Sequence, residues 1–377
     1  MSEYKLNPKR VLFIATRQIG DVLITTPLIE RAKELWPNAQ FDFLGYKNKL
    51  SIIQGNPHIE TWIETSERPS LVEYLKLFIK LFRRYDLALI TQPSDRSYLY
   101  GILASKKRVG VIVDDTKNAQ KKSIWKQRCC IYTVSVDYFF QHVIVEKLRL
   151  LEPFFANPEE IFNQPIRVSP PVPEKIPQSI DEVIQGVSLI VLHPGPLNAY
   201  KRWPLAYWAE LMEWLVKQGF TILLSASPAK QDIELNQAIL SLLKMETRQQ
   251  VINAAGSLSF SQLTSVLLKS KLYIGVDTSA THLAAACEIP TIALFGATPP
   301  TNYGPWPNGF IGKEPYQIRA RSQTVKNVTI LQGPGDCVPC RKAGCEDKAD
   351  SRSECLDLLT PQQVIDSIQK RFNINGA

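Results

Sequence analysis

The feature that most constrains this chain is a recurring pattern in which a short apolar run ends in a polar turn and a helical periodicity follows. Residues 10–16 (RVLFIAT) open it, and 40–45, 86–91 and 108–113 continue it. After a break it resumes at 188–193, 221–225, 251–254, 272–276 and 291–295. Short unbroken apolar runs fit strands covered on both faces, and the intervening helical patterns are the crossovers that parallel strands require. The chain therefore reads as α/β with parallel sheets. Its 377 residues exceed one ordinary compact domain and suit two. Residues 153–177 hold seven of the 26 prolines. Proline removes a backbone donor and fixes φ, so this stretch is expected to be a linker. The expected division is an N-terminal lobe over 1–172, with its linker from about 153, a C-terminal lobe over 173–360, and a last helix in 361–377. Residues 70–83 (SLVEYLKLFIKLFR) are strongly amphipathic, and their spacing is expected to pack one face on a sheet.

Composition excludes several classes. No run of about 18 apolar residues is present, so no membrane-spanning helix is expected, and the N-terminus MSEYKLNPKR lacks the apolar core of a secretory signal. A cytoplasmic protein is the expectation. Lys and Arg number 44 against 36 acidic residues. That excess favours anionic partners, a phosphorylated glycolipid or an acidic membrane surface before nucleic acid, for which no motif is present. Four of the seven cysteines, Cys337, Cys340, Cys345 and Cys355, cluster near the C-terminus. Their spacing is compatible with four-thiolate zinc, with reduced thiols or a local disulfide as the simpler reading.

In open parallel sheets, ligands bind beyond the carboxyl ends of strands, and three strand-end loops carry chemistry. Gly20 and Asp21 follow the first strand, where an acid either caps a helix or serves as a base. Thr25, Thr26 and Pro27 come next on one expected helix from Asp21 to about Trp36. The loop from His193 to Pro204 places Lys201 and Arg202 before a helix start at Pro204, where cations oppose the helix dipole. Either they point into water or they await an anion. Asp277, Thr278, Ser279, Ala280, Thr281 and His282 lead from a strand into a helix. Small residues and free N–H groups there suit a phosphate, although Asp277 also suits a cap and His282 a structural role.

These loops, in this order, resemble the ADP-heptose–lipopolysaccharide heptosyltransferases of glycosyltransferase family 9, through Gly20-Asp21-Val22-Leu23 with Thr26-Pro27, Lys201-Arg202-Trp203-Pro204 and Asp277 to Leu283. The resemblance implies a GT-B architecture, two Rossmann-like lobes facing across a cleft, with the 361–372 helix crossing back to the first lobe. It implies an inverting transferase without a cofactor or catalytic metal, moving a heptose from ADP-heptose to the lipopolysaccharide inner core (Kdo-lipid A). No DxD acid pair stands at a strand end in the expected cleft. Asp21 would be the general base. Lys201, Arg202 and residues 277–282 would bind the donor, and Gly20 and His142 would lie on the acceptor side. Lys121 and Lys122, within a run from Lys117 through Trp125 and Lys126 to Arg128, would meet acceptor anions or the inner membrane surface. The turn after 221–225 departs from the family. The ungapped match to its ribose-binding acid is Lys230, with Asp232 and Glu234 nearby. An epimerase of the same fold and a non-catalytic nucleotide-sugar or glycan binder are the competing readings.

Overall fold

A computed structural model of the chain describes residues 6–372. They form two compact units. The first runs up to Val172 and includes Asn308–Glu314; the second comprises Pro173–Pro307 and the chain from Pro315 on.

The first unit holds a six-stranded sheet: β1 (Arg10–Ala15), β2 (Gln40–Tyr46), β3 (Thr61–Thr65), β4 (Leu87–Ile90), β5 (Arg108–Ile112) and β6 (Tyr132–Ser135). The order is β3-β2-β1-β4-β5-β6, and every pairing is parallel. Val11 to Ala15 and Leu87 to Ile90 are wholly buried, as central parallel strands demand. β3 and β6 escape the sequence reading because they are short edge strands with mixed polarity, TWIET and YTVS.

The single helix expected from Asp21 to Trp36 is two, Ile19–Leu23 and Thr26–Leu35. Pro27 has no N–H to offer the Leu23 carbonyl four residues back, and the Thr26 hydroxyl takes that acceptor instead at 2.8 Å. The Thr25 hydroxyl likewise donates to the Asp21 carbonyl at 2.8 Å. Both threonines are buried and bind backbone, so the hydroxyl pair serves the helix junction.

The proline-rich stretch also differs from expectation. Residues 149–154 and 158–162 form 3-10 turns, and Phe154, Ile161, Phe162, Ile166 and Val168 are buried. Proline keeps this segment out of helices and strands but not out of the core. The strand-like pairing of Ile166 with Phe310, and the Asn308 side chain bonded to both the N–H and C=O of Val168, tie residues 308–314 to it.

The second unit holds β7 (Leu189–His193), β8 (Thr221–Ala226), β9 (Val251–Ala255), β10 (Leu272–Val276), β11 (Thr291–Phe295), β12 (Ser322–Val325) and β13 (Val328–Gln332). The order is β12-β13-β11-β10-β7-β8-β9, parallel except for the β12–β13 hairpin. Trp203 and Trp208, edge to face at 4.9 Å, pack in its core. The same core takes Val364, Ile365 and Ile368 of the helix Pro361–Phe372. The described part of that helix thus buries its apolar face in the second unit, where the resemblance implies a return to the first; residues 373–377 lie outside the described residues.

The helix Leu71–Leu81 packs one face on the first sheet, as its spacing predicts, and leaves a further apolar face uncovered. Only Leu77 and Leu81 are buried, with Tyr74 partly so, while Leu71, Val72, Leu75, Phe78, Ile79 and Phe82 are exposed.

Candidate active site

Each sheet reverses its winding once. In the first unit the chain steps outward from β1 to β2 and β3, then returns to the other side of β1 with β4; in the second, β7 leads to β8 and β9 before β10 takes its other side. At such a switch the two following loops diverge and leave a crevice, the usual ligand site of open α/β sheets.

At the first switch, Asp21 lies within the first turn of Ile19–Leu23 rather than at its cap, which is Gln18. Gly20 is in the same turn and its carbonyl accepts from Ile24. The Asp21 side chain is 10% exposed. Its Oδ1 is buried without a hydrogen-bond donor, and the nearest ion-pair partner is Arg17 Nη1 at 3.8 Å. Thr91 extends β4 beside β1, bonded through its N–H and hydroxyl to the Ile14 carbonyl. Lys147 donates to the Thr91 carbonyl at 3.5 Å and is 1% exposed. Burial lowers the Lys147 ammonium to about 8, while the charges of Asp21 and Glu146 oppose that fall. Burial raises the Glu146 carboxyl to about 8; its Oε1 accepts the Asp137 N–H at 3.2 Å. The sequence reading missed Lys147. Within VIVEKL it looks like any helical lysine, and only its fully buried place behind Asp21 sets it apart. His142 is buried as the N-cap of Val143–Leu148, its Nδ1 accepting the Ile144 N–H at 3.2 Å.

Lys121 and Lys122 are exposed on the helix Lys117–Cys129, but Lys126 is not part of a free basic run. It is buried, 2.7 Å from Asp95 Oδ1, and lies over the Tyr98 and Trp125 rings.

At the second switch the loops after β7 and β10 are joined by an ion pair. Lys201 Nζ lies 2.6 Å from Asp277 Oδ2, which also accepts from the Thr298 hydroxyl at 2.8 Å. Burial pushes the Asp277 carboxyl up, but the charges of Lys201 and His282 and the bonds from Lys201 and Thr298 outweigh it and hold the group below its usual value. Thr278 is the N-cap of Ser279–Ala286; its side chain makes no cap bond, while its carbonyl accepts from the Thr281 and His282 N–H groups. Thr281 and His282 are buried. The Thr281 hydroxyl is held by the Val276 carbonyl and faces the Tyr273 hydroxyl at 3.0 Å. Gly275 is needed there, since a Cβ would sit 2.4 Å from that tyrosine oxygen. Arg202 ends the turn Ala199–Lys201, its Nε buried with no hydrogen-bond partner, and Pro204 caps the helix Leu205–Lys217 rather than opening it.

The residues after β8 that differ from the family lie in contrasting places. Lys230 points outward to Glu234 at 3.6 Å, its side chain 90% exposed. Asp232 turns inward, buried, bonded to the Ser227 hydroxyl and packed on Gly195, where a Cβ would approach its carboxylate to 3.2 Å. Nearby His193 is bonded to Ser225 at 2.9 Å and lowered to about 4 by burial.

Cys337, Cys340, Cys345 and Cys355 are free thiols. Burial, then the nearby Cys340, Cys345 and Cys337, push the Cys355 thiol up to about 11. Among the described residues no group of three or more His, Cys, Asp or Glu side chains is arranged to hold a metal ion, so the zinc arrangement compatible with the spacing is not formed there.

The family profile of glycosyltransferase family 9 (heptosyltransferase) matches residues 74–327, which include the whole second switch and, of the first, β4 but not β1 or Asp21. The chain belongs to glycosyltransferase family 9. It is 26% identical to lipopolysaccharide heptosyltransferase 3 of Escherichia coli, over 78% of this chain and 85% of that one. It is 25% identical to lipopolysaccharide heptosyltransferase 1 of Pseudomonas aeruginosa, over 96% and 97%. The fold is that of the E. coli ADP-heptose lipopolysaccharide heptosyltransferase II structure, with a TM-score of 0.70 at 19% identity over 96% of this chain and 98% of that one. The protein is therefore a glycosyltransferase with GT-B neighbours, built from two parallel-sheet α/β units.

Proposed function

We propose that this enzyme transfers a heptose from ADP-heptose to the inner core of a lipopolysaccharide, with inversion and without a metal ion, at the cytoplasmic face of the inner membrane. The Lys201–Asp277 pair across the second switch carries this reading. It fixes an ammonium beside the N-terminus of the helix Ser279–Ala286, a preorganised positive site for a diphosphate that gains charge as it leaves. Arg202 adds a second cation, and Thr278 to His282 line the approach. Asp232 is better placed than Lys230 to accept a ribose hydroxyl.

The first unit supplies the base. Asp21 has an unbonded carboxylate oxygen at a strand end, free to accept a proton. As the acceptor hydroxyl attacks the sugar C1, its proton passes to Asp21, and the C1–O bond to the diphosphate breaks on the opposite face. Such general-base assistance is worth ~10²–10⁴-fold. The buried Lys147 sets a cation near Asp21, and the Asp21 charge in turn opposes the fall of the lysine's pKa. Gly20 allows close approach of the acceptor, His142 shapes its side of the site as a cap, and Lys121 and Lys122 meet its anionic groups.

A donor screen with Kdo-lipid A as acceptor tests the reading. ADP-heptose should be used at least about tenfold better than UDP- or GDP-sugars, since a changed base leaves polar groups unpaired. No transfer from ADP-heptose under conditions where another donor reacts would refute it.

A further inference from the structure

The helix Leu71–Leu81 has more faces than one packing partner can use. At about 100° per residue, Leu77, Leu81 and Tyr74 form one stripe, and these are the residues that meet the first unit's core. Lys76 and Lys80 form a second, exposed stripe, and Arg83, just past the helix end, lies exposed over the Phe82 ring. Leu71, Val72, Leu75, Phe78, Ile79 and Phe82 form a third, apolar and turned to solvent; Leu71 is 86% and Leu75 61% exposed. Phe78 and Phe82 stack at 4.7 Å, so the outer stripe is a continuous surface. Contiguous exposed apolar patches rimmed by polar residues mark interaction sites.

The helix is preformed. Ser70 and Glu73 make a reciprocal capping box, and Glu73 is also bonded to Ser66 and ion-paired with Lys47 at 2.8 Å. The charges around it choose the partner. Arg68 before the helix and Arg84 after it are also exposed. The nearby acids are engaged: Glu73 as above, Glu67 with Lys49 at 3.8 Å, and Asp86 with the Lys9 and Arg10 N–H groups. An apolar face flanked by Lys and Arg, with no length to cross a bilayer, is the pattern of a helix lying in the interface plane. A second copy docked face to face would set one basic stripe against another.

We propose that Leu71–Leu81, with Phe82, seats this enzyme on an anionic bilayer, its outer stripe in the headgroup–acyl boundary and Lys76, Lys80 and Arg83 on lipid phosphates. The proposal deepens the reading that the acceptor is a membrane glycolipid and rests on it.

Vesicle flotation with the full chain tests it. Wild type should bind phosphatidylcholine vesicles containing about one-third phosphatidylglycerol at least tenfold tighter than pure phosphatidylcholine. Leu75→Glu/Ile79→Glu should lose at least about tenfold of that binding, and Lys76→Glu/Lys80→Glu should abolish the preference for anionic lipid. Leu75→Trp should shift its emission to the blue on binding and be quenched by brominated acyl chains. Binding of Leu75→Glu/Ile79→Glu within twofold of wild type would overturn the proposal. So would wild-type self-association abolished by that variant without vesicle binding. Transfer to a deacylated, water-soluble acceptor separates the two readings: the double variant should retain wild-type kcat/KM there, whereas wild type inactive on that acceptor counts against the proposed function and leaves the vesicle result to judge the helix.

Discussion

The two switch crevices handle buried charge in opposite ways. In the second unit Asp277 is engaged: its Oδ2 accepts from Lys201 and Thr298 within 2.8 Å, and its carboxyl is held below the usual value. In the first, Asp21 has a buried oxygen without a donor, and Lys147 has one long bond to Thr91. A carboxylate oxygen already bonded to a cation and a hydroxyl is a poor base and a good scaffold. An undersatisfied one stores unfavourable desolvation that a bound hydroxyl can relieve. The same residue type beside each switch is therefore suited to different chemistry, and the difference lies in the neighbours.

The largest effect that can break this contrast is at Asp21. Asp21→Asn should lower kcat by ~10²–10⁴-fold while leaving ADP-heptose affinity within about twofold. Steady-state kinetics with calorimetric titration would show it, and a kcat near wild type would remove Asp21 from the chemistry. Next is the scaffold pair. Lys201→Ala strips Asp277 of its main counter-charge and should weaken donor binding by about 10–100-fold. It should cost about 1–3 kcal/mol of stability, discounted because the lysine is partly exposed. Equal donor affinity in the variant would show that the pair is structural only.

Lys147 sharpens the contrast through pH. Its folded value near 8 lies below the ordinary 10.5, so the folded state binds fewer protons than the unfolded state between those values, and stability rises with pH across that window. Glu146 has the opposite sign. Its value near 8 lies above the ordinary 4.5, and its contribution falls as pH rises between the two. Lys147→Met should remove the alkaline rise in denaturant-unfolding free energy, a slope of ~1.4 kcal/mol for each pH increment of one within that window. The smallest predicted effect is a pair. Asp232→Asn should raise the Kd for ADP about tenfold, and Lys230→Ala should leave it within about twofold. The reverse result would restore the ungapped reading.

Much of the fold was legible because buried parallel strands such as Arg10–Ala15, Leu189–His193 and Leu272–Val276 must be continuous apolar runs. Thr61–Thr65 and Tyr132–Ser135 were not, since mixed-polarity edge strands carry too weak a pattern. Residues 308–314 were not either; their place beside Ile166 is a long-range pairing with no local signature. The helix Leu71–Leu81 had a legible amphipathic pattern, but periodicity shows that a face is apolar without showing what covers it.

By itself the sequence determined the α/β class, the strand-end loops and the residue types in them, because periodicity and turn chemistry act within a few residues. Which of those residues touch was decided by the tertiary structure: Lys201 with Asp277, Lys126 with Asp95, Asp232 turned inward while Lys230 faces water, Lys147 sealed behind Asp21. Burial and charge pairing depend on neighbours distant in sequence, and strand order is what brings those neighbours together.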